Sequence, residues 1–288
     1  MGFSSLDDLV SEVTVNGKFH RQDWNKIIGA AAYTAGRWYD LSPLNGTPVG
    51  HSWSGSNLAF QNTTESSGFG IRHGGNVSTD TKHILNMMGV TAASAGVPSV
   101  LMLCDMQGYW PGVNLNTASA QNLTGTPGLR YTNGTGCRLY WVAQNTTGAN
   151  ATNLTMNYTN STGTTGRTLP VSVAMTASAI TPHIAHSGTA ANNYGPFLPL
   201  ANGDTGVQNV TNVTFTAAST GIGALVLTKP LATLPLVTAS VAAERDLLNQ
   251  LPSLPQVKDD ACLVLLHFAG AATNASSNIY GAVEFGWG

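Results

Sequence analysis

Charge is what this chain has least of. Asp, Glu, Lys and Arg make up 9% of its 288 residues, against about 25% in an average soluble protein, so the solvent face has to be built from the Thr, Asn, Ser and Gly of its turns. The 12 Lys and Arg are scattered and the formal net charge is -2, which removes the basic patch that nucleic acid or an anionic membrane surface requires. No apolar run approaches the ~18 residues needed to span a bilayer. Cysteine is scarce too. Cys104, Cys137 and Cys262 lie in or beside apolar runs without a Cys-x-x-Cys spacing, which argues against a disulfide framework or a zinc site and for buried free thiols. The opening Met1 to Asp8 holds neither a charged n-region nor an apolar stretch, and Leu6 stands where a myristoylation signal needs Ser or Thr, so the expectation is a soluble protein made in a cytoplasm without a secretory signal. The Asn-x-Ser/Thr sequons, among them Asn62, Asn122, Asn153 and Asn212, then read as a by-product of an Asn/Thr-rich β surface.

Catalytic and ligand-binding motifs are equally sparse. His183 and His186 are spaced to share a helical face, but no third ligand accompanies them, and His73, Asp80 and His83 are too loosely grouped to form a site. Ser54 and Ser187 lack the Gly-x-Ser-x-Gly elbow, Cys104 has no evident His partner, and no phosphate-binding Gly-rich motif occurs. Glycoside hydrolysis needs two opposed carboxylates, whereas Asp105, Asp204 and Glu284 are isolated in sequence and Asp40, beside Arg37, reads as a structural partner. The expectation is therefore a non-enzyme with no cofactor and no metal. Trp53, Tyr109, Trp110 and Trp287 read as exposed aromatics, suited either to stacking on sugars or to the seams of an assembly.

What is present is a β pattern. Apolar residues reach 42%, enough for a sizeable core. The runs 136–144, 152–159 and 168–175, rich in Val, Leu, Tyr and Thr, are separated by Asn/Thr/Gly clusters at about 8–12 residue spacing, as in a sandwich or barrel. In the middle run Leu154, Met156 and Tyr158 alternate with Asn153, Thr155, Asn157 and Thr159, leaving one face dry and the other wet. The expected fold is a mainly β, antiparallel β-sandwich of jelly-roll type, with a core including Leu139, Trp141, Leu154, Met156, Val171, Val173, Leu225, Leu227, Val264 and Leu266. Pro230 and Pro235 are expected to bracket a connection outside the sheets.

Ahead of the β body the period changes. Ser5 is a candidate N-cap, Asp7 and Asp8 suit a first helical turn, and Leu6, Leu9, Val10 and Val13 recur at helical spacing before Asn16-Gly17. Trp24, Ile27 and Ile28 predict a second helix over residues 22–33, and the same reasoning predicts helices over 81–95 and 239–251. The chain thus divides into an N-terminal helical arm, 1–34, and a sandwich body, 35–288. Leu6, Leu9, Val10, Val13, Trp24, Ile27 and Ile28 form stripes too narrow for a core of their own, which makes them the candidate assembly contacts.

The segments Ala35-Gly-Arg-Trp-Tyr-Asp-Leu-Ser42, Ala185-His-Ser-Gly-Thr-Ala-Ala-Asn-Asn-Tyr-Gly-Pro-Phe-Leu-Pro199, Gly203-Asp-Thr-Gly-Val207 and Ala242-Ala-Glu-Arg-Asp-Leu247 resemble virion structural proteins of tailed bacteriophages, over most of the chain. The resemblance implies a capsid-associated particle component without catalytic residues. Because the major shell protein of such phages is expected to carry a long spine helix that is lacking here, it implies a decoration or cement protein on the capsid surface. Its partners would be the major capsid protein and itself, as a homotrimer that matches local three-fold symmetry, with neither nucleic acid nor membrane. A tail, fibre or receptor-binding module and a carbohydrate-active protein share the same β composition and stay open as alternatives.

Overall fold

The computed structural model describes residues 2–29, 31–53, 55–91, 96–188, 195–250, 254–273 and 275–288. Ser54, residues 189–194 of the segment 185–199, and the ends of the two later helices expected at 92–95 and 251 lie outside them. Strand takes 44% of the chain and helix 7%, so the class is mainly β. All strand pairings given below are antiparallel.

Two unusually long strands, Ser99–Asn114 and Ile222–Leu236, lie side by side in the middle of the molecule. They anchor a central sheet in the order Arg37–Asp40, Leu263–Ala269, Ser99–Asn114, Ile222–Leu236, Arg138–Ala143. One end of the long strands packs on a second sheet centred on Thr152–Asn160 and Val207–Phe215, enclosing Trp110, Leu139, Trp141, Leu154, Phe215 and Leu225. The other end packs on a third sheet, ordered Ala243–Asp246, Lys82–Thr91, Asn278–Trp287, Phe19–Ile27, Gly46–Thr47, and encloses Trp24, Ile84, Leu103, Leu234, Val283 and Phe285. The expected antiparallel β-sandwich is thus present, with its core divided between two sheets that each pack on the central one. Nine of the ten expected core residues are buried. Val171 is not: it is 41% exposed, because beyond Pro170 the run splits into two separate pairings, Arg167–Thr168 and Val173–Met175, and the residues between lose the sheet.

Two of the expected helices, 22–33 and 81–95, are strands over Phe19–Ile27 and Lys82–Thr91, and the third, 239–251, is strand at Ala243–Asp246 and helix only at Leu247–Gln250. Residues 19–27 pair along their whole length with Asn278–Trp287. Trp24, Lys26 and Ile28 point inward, and Ile27, the residue that completed the helical spacing, points out. Lys82–Thr91 is likewise a strand of this sheet, and Ala243–Asp246 is its edge strand, followed by a short helix at Leu247–Gln250. Where a strand carries apolar groups on both faces, periods of 2 and 3.6 fit the same residues equally well. Pro230 and Pro235 also depart from expectation, since both lie inside Ile222–Leu236. Pairing of that strand with Arg138–Ala143 ends at Thr228, so beyond it the strand is an edge, where a missing N–H is tolerated.

Candidate functional site: the N-terminal surface

The helical expectation holds for the first segment. The N–H of Asp8 donates to Ser5 Oγ at 3.0 Å, Asp7 and Asp8 occupy the first turn of Leu6–Val10, and a wider π turn follows over Ser11–Val15. Gly17 ends it with φ +66°. One side of this segment is docked on its own body. Leu9 is buried, and Val13 lies with Leu85 over Gly286, where a Cβ would meet Leu85 Cδ1 at 2.9 Å and Val13 Cγ2 at 3.2 Å. Glycine there lets the segment sit close to the sheet. Lys18 Nζ reaches Glu12 at 2.7 Å and Asp80 at 2.8 Å, and those two carboxylates raise its pKa.

The opposite side has no cover: Leu6 is 61% exposed, Val10 51% and Val15 78%. Of the eleven large apolar side chains exposed among the described residues, five (Leu6, Val10, Val15, Phe19 and Ile27) fall in the first 27 positions. Isolated exposed apolar residues are ordinary, whereas a concentration of them marks an interaction surface. The seven assembly candidates therefore divide. Leu6, Val10 and Ile27 stand in solvent, Val13 is half-buried, and Leu9, Trp24 and Ile28 belong to the molecule's own interior.

The surface continues onto the outer face of the Phe19–Ile27 sheet. The register places Val90, Tyr280, Asn25 and Thr47 in one row and Met88, Ala282 and Asp23 in the next. In the row beyond, Arg21 is held by Asp23 Oδ1 at 3.1 Å and Glu284 Oε1 at 3.0 Å, and Asn86 Nδ2 donates to Glu244 at 2.7 Å.

No family model matches this chain, and no curated protein matches it. Among solved structures, the VP2 subviral particle of infectious bursal disease virus is 9% identical over 96% of this chain and 86% of that one, with a TM-score of 0.16. A point mutant of VP2 from the same virus, in derived particles, is 11% identical over 96% and 82%, again at 0.16. That score is too low to establish a shared fold. No helix among the described residues is long and apolar enough to cross a membrane.

The remaining candidate groups hold the fold together. Asp105 is fully buried, accepts from Arg130 Nε at 3.1 Å and Nη2 at 2.5 Å, and accepts the N–H of Cys262 at 3.0 Å. Asp204 accepts from Tyr158 Oη at 2.5 Å, Asn160 Nδ2 at 2.7 Å and Arg167 Nε at 2.9 Å. Against the desolvation that would raise it, these donors hold its carboxyl below the usual range. Asp40 is a structural partner, though of Tyr140 (2.8 Å) and the Ser42 N–H (2.7 Å) and not of Arg37, and burial raises its pKa.

Ser187 Oγ donates to the Ile184 carbonyl at 2.7 Å and accepts the Trp38 N–H at 2.9 Å. Burial pushes the thiols of Cys137 and Cys262 up to about 12 and that of Cys104 higher still. His183 and His186, spaced as if to share a helical face, are both fully buried, and burial lowers each to about 3. Tyr109 and Trp110 are buried, leaving Trp53 and Trp287 half-buried. Tyr280, which the sequence pattern did not single out, is 43% exposed. The signal that would have found it is the register of the closing strand, where it shares an outward row with Asn25.

Proposed function

We propose that this chain is a non-enzymatic structural protein of a virus particle, of the decoration or cement kind. On this reading it sits on the capsid surface, bound to the major capsid protein through its N-terminal surface, as a homotrimer. The observation that carries the reading is the two-sided N-terminal segment, docked through Leu9 and Val13 and open through Leu6, Val10 and Val15. Its outer side carries Asp7, so a complementary partner is apolar with a basic rim. Sequence resemblance to virion proteins of tailed bacteriophages and the low charge of the surface point the same way. Burying these three side chains gains roughly 4.5–9 kcal/mol gross, which association costs of about 4–15 kcal/mol largely cancel for one copy. Three linked copies bind with avidity, and that is the argument for the trimer.

The test is co-sedimentation of the purified protein with empty shells. The double variant Leu6→Ser/Val10→Ser should keep wild-type stability within about 0.5 kcal/mol, as exposed substitutions do, and fail to pellet with the shells. Wild-type levels of co-sedimentation by that variant would remove the N-terminal surface from the interface.

A further inference from the structure

We propose that residues 182–187 are an acid-released latch that closes the central sheet into a barrel. The two edges of that sheet are Arg37–Asp40 and Arg138–Ala143, and one short segment bonds to both. On one side the Pro182 carbonyl accepts the Asp40 N–H at 3.0 Å and the Ile184 N–H donates to the Trp38 carbonyl at 2.9 Å. On the other the His183 carbonyl accepts the Ala143 N–H at 3.0 Å and the Ala185 N–H donates to the Trp141 carbonyl at 3.2 Å. Successive residues thus serve opposite edges, as in a strand paired on both sides. Ile184 points into the enclosed space, where it clusters with Met106, Tyr140, Val142, Val226 and Leu266, and where Asp40 accepts from Tyr140. Closure removes two open sheet edges, and beyond these backbone bonds the hold is Ser187, whose Oγ accepts the Trp38 N–H at 2.9 Å.

The latch carries two imidazoles. His183 precedes Ile184, so strand alternation turns it away from the enclosed space, into a row with Tyr39 and His267. His183 and His186 are fully buried, and His183 Nδ1 and both ring nitrogens of His186 have no hydrogen-bond partner among the described residues. The surroundings offer a proton little. From the 37–40 edge, the charge of Arg37 opposes protonation of His183, and the Tyr39 ring, itself stacked on Tyr33, lies 5.2 Å from it. Within the latch, Ser187 Oγ stands 3.5 Å from His183 Nε2, and a charged His186 repels a charged His183. From Leu263–Ala269, His267 lies one strand further, beyond Tyr39, and from the 138–143 edge Tyr140 faces inward to Asp40. His186 is kept neutral by burial alone.

With the latch shut both imidazoles titrate at about 3, and in water they titrate near 6.5. The closed form is therefore fully favoured above pH 6.5 and is lost as pH falls toward 3. Between those values the open form binds up to two more protons, so the opening equilibrium rises by as much as about 100-fold per pH unit. His267 is shifted in the same direction, but it belongs to a strand paired on both sides and meets water only when the sheet comes apart. Residues 182–187 are the part that can leave while the long strands stay paired.

The experiment is residue-resolved amide hydrogen exchange of the full-length protein from about pH 7.5 to about pH 4.5, below its melting temperature, with rates corrected for the intrinsic chemistry. The amides of Asp40, Ala143, Ile184 and Ala185 should lose protection by about tenfold or more per pH unit below 6.5, while the paired amides of Ser99–Asn114 and Ile222–Leu236 stay protected. His183→Gln and His186→Gln should each lower the slope by about one proton, and the double variant should be flat. Ser187→Ala, which loosens the latch without touching an imidazole, should raise exchange at every pH and keep the slope. His267→Phe should leave the response of the latch amides unchanged. Constant protection of those four amides in the wild type, loss in step with the long strands, or a wild-type slope in the folded double variant would overturn the proposal. The first two outcomes need no variant, so the test stands even where a substitution prevents folding.

Discussion

Asp105 ties the Ser99–Asn114 strand to Arg130 and to the residue that precedes Leu263–Ala269. Its carboxylate takes two guanidinium N–H groups of Arg130 and the backbone N–H of Cys262, and Arg130 also donates to the carbonyls of Thr63 and Met106. Arg130→Ala strands a carboxylate with no exposed surface, so a loss of about 3–5 kcal/mol is expected from urea unfolding. A change below about 1 kcal/mol would mean that water replaces the guanidinium. Sequence offered no path to this pair, because 25 residues separate its members and charge spacing is informative only along one helix or strand. Asp40 and Tyr140, 100 residues apart, were hidden in the same way. Alternation, by contrast, is local. It identified Leu154 and Met156 as core because both faces of one strand can be read within nine residues.

At the scale of elements, the N-terminal segment is half legible. Its cap, its first turn and its stop at Gly17 follow from short-range chemistry and could be read directly. Trp24 to Ile28 could not, because whether those residues wind or extend depends on Asn278–Trp287, more than 250 positions away in the chain. The boundary between dispensable and required residues therefore falls before Phe19. Deleting residues 1–15 removes one buried side chain, Leu9, at about 1.5–3 kcal/mol. The truncated protein should melt several degrees lower, still cooperatively, and should no longer co-sediment with shells. Trp24→Ala, in contrast, should cost about 3–5 kcal/mol through the cavity it leaves, measurable as a shifted urea midpoint at unchanged slope. Loss of all cooperative melting in the 1–15 deletion would show that the segment is part of the folding unit.

The whole molecule is a β assembly with an interior that tolerates protons poorly. His183, His186 and His267 have no exposed surface, and both ring nitrogens of His186 and His267 lack hydrogen-bond partners among the described residues. Burial lowers His183 and His186 to about 3 and His267 to about 4, whereas in the unfolded chain each titrates near 6.5. Between those values the unfolded state binds more protons, so stability is complete above pH 6.5 and falls as pH drops toward 4, by about 1.4 kcal/mol per pH unit for each imidazole. Asp40, whose pKa is raised, offsets part of this at the acid end. Melting temperature should therefore decline steeply from pH 6.5 to pH 4.5, and His267→Phe should flatten the decline. A melting temperature constant across that interval would show that water or rearrangement satisfies the imidazoles. At the same scale stands the central claim, that the molecule decorates a shell with its N-terminal surface inward. Electron cryo-microscopy of intact particles tests it most directly. The expected map shows copies of this sandwich over the head at three-fold positions, with Leu6, Val10 and Val15 against the major capsid protein; density confined to the tail, or a head-bound sandwich whose N-terminal surface faces solvent, would contradict it.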